Sequence, residues 1–140
     1  MKLRVLIFAE DVAMRDLLNA LLKQQGHEVQ LFWGPSACPL YRPPNDEQCR
    51  CPKEVPCADA VVIDGDMADD VLTFLRAMQK RGCQVLGANR ALMSSDHTGA
   101  MAEAVAGFGC HLIRKPFRLD ELKSWVVACT ERLTACKPPG

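Results

Sequence analysis

With 140 residues, 49% of them hydrophobic, the chain is sized for one domain in which a sheet is buried by helices, and its composition argues against disorder. Its 17 basic and 17 acidic residues cancel to a formal net charge of zero, which argues against a dedicated nucleic-acid binder. No apolar run approaches the length needed to span a bilayer, and the apolar start Leu3 to Phe8 is too short for a secretory signal. A cytoplasmic protein without direct nucleic-acid or membrane partners is therefore expected.

Residues 3–8 read as a buried strand followed by the carboxylates Glu10 and Asp11. Met14, Leu17, Leu18, Leu21 and Leu22 then recur at helical spacing, and Gly26 falls where a helix ends. Glu28-Val29-Gln30-Leu31-Phe32 alternates as a second strand, which completes a β-α-β unit. Ala60-Val61-Val62-Ile63-Asp64 is too short for a helix and apolar on both faces, as suits a central parallel strand. Val71, Leu72, Leu75 and Met78 mark a further helix up to Gly82. A fourth strand is placed at 90–94, with 84–86 as the rival position, and Thr98 is expected to cap a short helix through Met101, Ala104 and Val105. A fifth strand covers 110–114, Lys115-Pro116-Phe117 follows it, and Leu122, Trp125, Val126, Cys129 and Leu133 stripe the last helix. The expected architecture is α/β: a flavodoxin-like, doubly wound parallel sheet of five strands in the order 2-1-3-4-5, forming a single domain over 1–140.

Residues 33–57 break this rhythm. The segment holds six prolines and four cysteines, Cys38, Cys49, Cys51 and Cys57, and keeps no helical period. It reads as a Cys/Pro-rich insertion in place of or around the second helix, with Trp33 beneath it. Four thiolates can close a tetrahedral Zn²⁺ site, which would order a loop that lacks a core. Paired disulfides, an iron–sulfur cluster or unpaired thiols are the alternatives. Cys83, Cys110 and Cys129 read as small apolar core residues, Trp125 as core, Cys136 as exposed, His27 as a turn residue, and His97 and His111 as structural.

Alternating strands and helices bring every strand end to one sheet edge, where ligands of open α/β sheets bind. Glu10 and Asp11 follow strand one, Asp64 ends strand three, Ser94 ends strand four and Lys115 follows strand five. Asp64 alone could be a turn or helix cap. The full set is more specific.

These residues resemble the receiver (phosphoacceptor) domains of two-component response regulators. The resemblance covers the chain outside 33–57, and the intervals from Asp64 to Ser94 and from Ser94 to Lys115 match the family, which favours 90–94 as the fourth strand. It implies that Asp64 accepts a phosphoryl group from the histidine of a partner kinase or phosphotransfer protein. Lys115 would pair with the phosphoryl oxygens and Ser94 would donate a hydrogen bond to them. Mg²⁺ would be held by Asp64, by Glu10 and by the backbone carbonyl of Asp66, with Asp11 as a further candidate. The Lys115-Pro116 peptide would be cis. Output would pass to a protein partner through the family's fourth helix, fifth strand and fifth helix. Such a domain is not an enzyme beyond its own phosphorylation and dephosphorylation, and with no output domain attached it would act as a stand-alone member of a phosphorelay.

The chain departs from the family in several places. Ala9 stands at the first of two acidic positions, Glu10 is one methylene longer than the usual Asp, Met67-Ala68 replaces Met-Pro, and Leu112 stands where the switch aromatic is expected. The first two weaken the expected Mg²⁺ site. They also define a rival reading, a degenerate receiver acting as a metal- or redox-responsive binding module through Cys38, Cys49, Cys51 and Cys57. A cysteine-dependent enzyme is a third reading, resting only on His111 beside Cys110.

Overall fold

The structure is a computed structural model that describes residues 2–34, 58–66, 71–80, 83, 85–96 and 99–136, the side chain of Cys136 excepted. Cys38, Cys49, Cys51, Cys57, His97 and Thr98, and with them the zinc, iron–sulfur and disulfide expectations, lie outside the described residues. Of the expected insertion only Trp33 and Gly34 are described.

The elements run β1 (Arg4–Phe8), α1 (Val12–Gln24), β2 (Glu28–Phe32), β3 (Ala60–Asp64), α2 (Val71–Lys80), a 3₁₀ turn (Gly87–Asn89), β4 (Arg90–Ser94), α3 (Ala100–Gly107), β5 (His111–Arg114) and α4 (Leu119–Cys136). The five strands are all parallel and ordered β2-β1-β3-β4-β5. This is the expected flavodoxin-like arrangement, with β4 at 90–94 rather than 84–86. The family's fourth and fifth helices correspond to α3 and α4.

Period-two alternation splits the core between the sheet's two faces. Val5, Ile7, Ala60, Val62, Ala91, Met93 and Ile113 meet Leu18, Leu21 and Leu22 of α1 and Leu122, Trp125, Val126 and Cys129 of α4. Phe8, Val61, Ile63 and Leu92 meet Val71, Phe74, Leu75 and Met78 of α2 and Val105 of α3. All five residues of β3 and of β4 are buried, as fits strands covered on both faces. Phe8 stacks on Phe32 and meets Phe74 edge-on, each pair 5.1 Å between centroids, contacts worth about 0.5–1.5 kcal/mol beyond burial.

Several local expectations are corrected. Leu17 is 47% exposed, and the buried side of α1 is completed by Arg15 instead. The Arg15 guanidinium lies 3.5 Å from the ring centroid of Trp33, which is itself exposed. The residue before α3 is Gly99, in the left-handed region (φ 91°), which suits glycine, while Thr98, the expected cap, lies outside the described residues. His27 is more than a turn residue: its Nδ1 accepts a hydrogen bond from Leu3 N–H at 3.0 Å and so ties the start of β2 to the start of β1. Burial of its ring lowers the His27 pKa. Cys83 and Cys110 are half-buried against the second core cluster, and Cys129 is fully buried, its thiol raised to about 11 by burial.

At the amino edge of the sheet, polar side chains clamp the strands. Asp59 accepts from Arg4 N–H at 2.8 Å, and its carbonyl accepts from Asn89 Nδ2 at 3.1 Å. Arg132 of α4 donates to Asn89 Oδ1 at 2.6 Å and to the Ala88 carbonyl at 2.9 Å, which also accepts from Trp125 Nε1 at 3.0 Å. Buried Arg90 donates to the carbonyls of Cys83 and Val85.

Candidate functional site

At the carboxyl edge, β3 delivers Asp64 with 5% of its surface exposed, and β4 delivers Ser94 with 1%. Lys115 follows β5, and its backbone N–H donates to the Ser94 carbonyl at 2.8 Å, which sets its stem beside β4. Its ammonium reaches across to Asp64 Oδ1 at 2.7 Å. Glu10, Asp11, Asp64, Asp66 and Lys115 line one open depression of about 350 Å³. The structure thus brings together the strand-one, strand-three and strand-five positions expected from the sequence. Ser94 ends the neighbouring strand, but its hydroxyl accepts from Asp96 N–H at 3.0 Å. Asp11 has a structural task as well: its carboxylate caps α1 by accepting from Ala13 N–H at 2.9 Å and Met14 N–H at 3.5 Å.

The turn after β3 is tight. Gly65 N–H donates to the Met93 carbonyl at 2.6 Å, and a Cβ on Gly65 would stand 2.8 Å from that same oxygen. Only glycine fits so close an approach of two backbones. The turn then returns Asp66 toward the site. Asp66 N–H donates to Asp64 Oδ1 at 3.0 Å. The Asp66 carboxylate meets Lys115 Nζ at 3.0 Å and accepts from Ser95 N–H at 3.2 Å to each oxygen.

This side chain was not foreseen. The resemblance assigns Asp66 only a backbone carbonyl, and a carboxylate two residues past a strand end leaves no periodic signal. Its one sequence signal was the Asp-Gly-Asp pattern, in which the glycine permits the turn. Burial works against the charge of both partners, but the mutual hydrogen bonds prevail. They raise the Lys115 pKa above, and with the Ser95 contacts lower the Asp66 pKa below, the ordinary values.

The donors facing the depression are hard carboxylate oxygens, the chemistry that suits Mg²⁺. Among the described residues no three acidic or histidine side chains are gathered closely enough to form a finished metal cage. Mg²⁺ does not require one, because it keeps several waters. The residues therefore fit the ion in type, with Glu10 following β1 and Asp64 ending the neighbouring β3. A larger depression of about 650 Å³ lies at the amino edge, lined by Lys2, Arg4, Lys23, His27 and Glu28 among others. Within it Lys2 pairs with Glu28 and Arg4 with Asp59.

No family model and no curated protein matches the sequence. Comparison of the structure is decisive instead. The receiver domain of a Francisella response regulator superposes with a TM-score of 0.73 at 18% identity, over 94% of this chain and 99% of that one. The chain has the receiver-domain fold. Full-length FixJ from B. japonicum carries the same receiver fold, with a TM-score of 0.69 at 23% identity over 94% of this chain. The chain spans 59% of the length of FixJ and 27% of that of NtrX from Brucella abortus, another structure it resembles. The receiver domain of a Pseudomonas aeruginosa sensor histidine kinase, with a TM-score of 0.65 at 15% identity over 89% of this chain and 93% of that one, was solved with magnesium coordinated in its active-site cleft. The Lys115-Pro116 peptide of this receiver fold is cis, as expected. Among the described residues no helix is long and apolar enough to cross a membrane.

Proposed function

We propose that this chain acts as a cytoplasmic response-regulator receiver domain that accepts a phosphoryl group on Asp64 and signals to a protein partner. The observation that carries the reading is the placement of Asp64, buried at the end of β3 and paired at 2.7 Å with Lys115 from the end of β5. A nucleophilic carboxylate beside a fixed cation at a ligand-binding sheet edge is what phosphoryl transfer requires.

In the proposed step an Asp64 carboxylate oxygen attacks the phosphorus of a phosphohistidine on a kinase or phosphotransfer protein. The P–O bond forms as the P–N bond breaks, and the electron pair stays on the imidazole nitrogen, which takes up a proton. Lys115 holds the phosphoryl oxygens, and Ser94 donates its hydroxyl proton to them after leaving Asp96 N–H. Glu10, Asp64 and the Asp66 carbonyl, with Asp11 as a further candidate, would hold Mg²⁺, which would supply positive charge against the charge developing on those oxygens. The altered site is read out on the face of α3, β5 and α4. In this reading the chain is a signalling domain rather than a classical enzyme, and it works without direct nucleic-acid or membrane contact.

The test is the intact mass of the protein after incubation with a small phosphoryl donor, with and without Mg²⁺. The expected result is a Mg²⁺-dependent gain of one phosphoryl group that Asp64→Asn abolishes. A gain that survives in Asp64→Asn, or no gain from either a small donor or a panel of phosphorylated kinases, overturns the reading.

A further inference from the structure

The donors that face Asp64 are already engaged by a second carboxylate. Asp66 is held on Ser95 N–H through both of its oxygens, at 3.2 Å each, and on Lys115 Nζ at 3.0 Å. Lys115 is at the same time 2.7 Å from Asp64 Oδ1. The Asp66 carboxylate is therefore an anion beside the nucleophile, tied to a backbone N–H at the end of β4 and to the one ammonium lining the depression. We infer that the Asp66 side chain is an internal occupant of the phosphoryl-binding position, anchored on Ser95 N–H and held on the Lys115 ammonium that an incoming phosphoryl group must engage. The inference rests on the reading of Asp64 as phosphoacceptor and adds to it a side chain that blocks the site from within.

Three features make the occupancy a designed property of the turn rather than a chance contact. Gly65 is locked against Met93 by its 2.6 Å hydrogen bond and by the absence of room for a Cβ, so the backbone delivers Asp66 to one place. Asp66 N–H donates to Asp64 Oδ1, which closes the turn and orients both carboxylates toward Lys115. The neighbouring strand end is held in place as well, since Ser94 Oγ accepts a hydrogen bond from Asp96 N–H.

A phosphoryl group on Asp64 competes with Asp66 for Lys115. Both are anions, and like charges within a few ångströms repel in a partly dehydrated site. The Asp66 side chain is 33% exposed and has open solvent beside it, so it can leave by side-chain rotation while its backbone stays in place. Acceptance of the phosphoryl group is then coupled to expulsion of Asp66. Removing that carboxylate should ease acceptance by roughly tenfold, the factor carried by a single charge-assisted hydrogen bond that no longer has to be exchanged.

The experiment is amide and lysine-ammonium NMR on the full chain, first without ligand and then titrated with beryllofluoride in Mg²⁺, for wild type, Asp66→Ala and Asp64→Asn. Without ligand, the Ser95 amide proton should move upfield in Asp66→Ala and stay in place in Asp64→Asn. In the titration, the midpoint for Asp66→Ala should lie roughly tenfold below that of wild type, and Asp64→Asn should not bind. An unmoved Ser95 resonance in Asp66→Ala, or wild type and Asp66→Ala binding at the same midpoint, overturns the inference and leaves the phosphoacceptor reading intact. Absence of binding in both proteins, with the Ser95 resonance shifted, overturns the phosphoacceptor reading and the inference with it. The amide spectrum reports in the same experiment that each variant is folded.

Discussion

At the amino edge of the sheet, Asp59, Asn89 and Arg132 end largely on backbone atoms of neighbouring strands and turns; at the carboxyl edge, Asp64, Asp66 and Lys115 end largely on one another. Both edges are polar, and both join strands that are distant in sequence. The partners of the first set cannot leave without unfolding the strands. Those of the second set can be exchanged for a ligand at little structural cost. Rigidity at one end of the sheet and replaceable contacts at the other are what the proposed chemistry at Asp64 would need to proceed without loss of the fold.

The sharpest way to break this comparison is to damage each edge in turn. Asn89 is fully buried and serves Asp59 and Arg132 at once. Asn89→Ala should therefore lower stability by about 2–4 kcal/mol in urea unfolding, because it strands a carbonyl and a guanidinium. At the other edge, Asp64→Asn leaves Lys115 its contact with Asp66 and relieves repulsion between two carboxylates. Its cost should stay below about 1 kcal/mol, with the unfolding slope unchanged. If Asp64→Asn costs as much as Asn89→Ala, the carboxyl edge is a structural clamp and the distinction fails.

A smaller effect sharpens the contrast. Burial depresses the His27 pKa in the fold, so the unfolded chain binds more protons as pH falls through the histidine range. The Leu3–His27 contribution is fully present above about pH 6.5 and is lost as the pH drops below that value. His27→Gln, which keeps an acceptor for Leu3 N–H without the titration, should flatten the dependence of the melting temperature on pH between about 7 and 5. An unchanged slope would show that His27 does not set it.

Much of the architecture was legible because burial leaves a period. The five strands and the helices α1, α2 and α4 follow from apolar spacing, while the strand order and the choice of 90–94 for β4 came from the family resemblance rather than from local propensity. What escaped was polar and three-dimensional. Arg15 sits on the buried side of α1 because Trp33, from the far end of β2, receives its guanidinium, a pairing that no helical period displays. Leu17 looked equivalent to Leu18 but faces solvent, since the apolar stripe is narrower than its leucine content. Asp64 and Lys115 were found by position at strand ends. The Asp66 carboxylate and Ser95 N–H were not, because a backbone donor has no letter in a sequence and the return of Asp66 depends on how closely Gly65 approaches Met93.

The chain has two tryptophans, and the two edges of the sheet own one each. Trp125 is 4% exposed, and its indole N–H is bound to the Ala88 carbonyl at the amino edge. Trp33 follows β2 at the carboxyl edge, 69% exposed beneath the Arg15 guanidinium. One indole lies in an apolar, dehydrated setting and the other lies in water beside a cation, so their emission separates in wavelength and in accessibility to a soluble quencher. The protein thus carries its own pair of optical reporters. The bluer one follows the clamp that holds the fold, and the redder one follows the carboxyl edge, where Asp64, Asp66 and Lys115 meet.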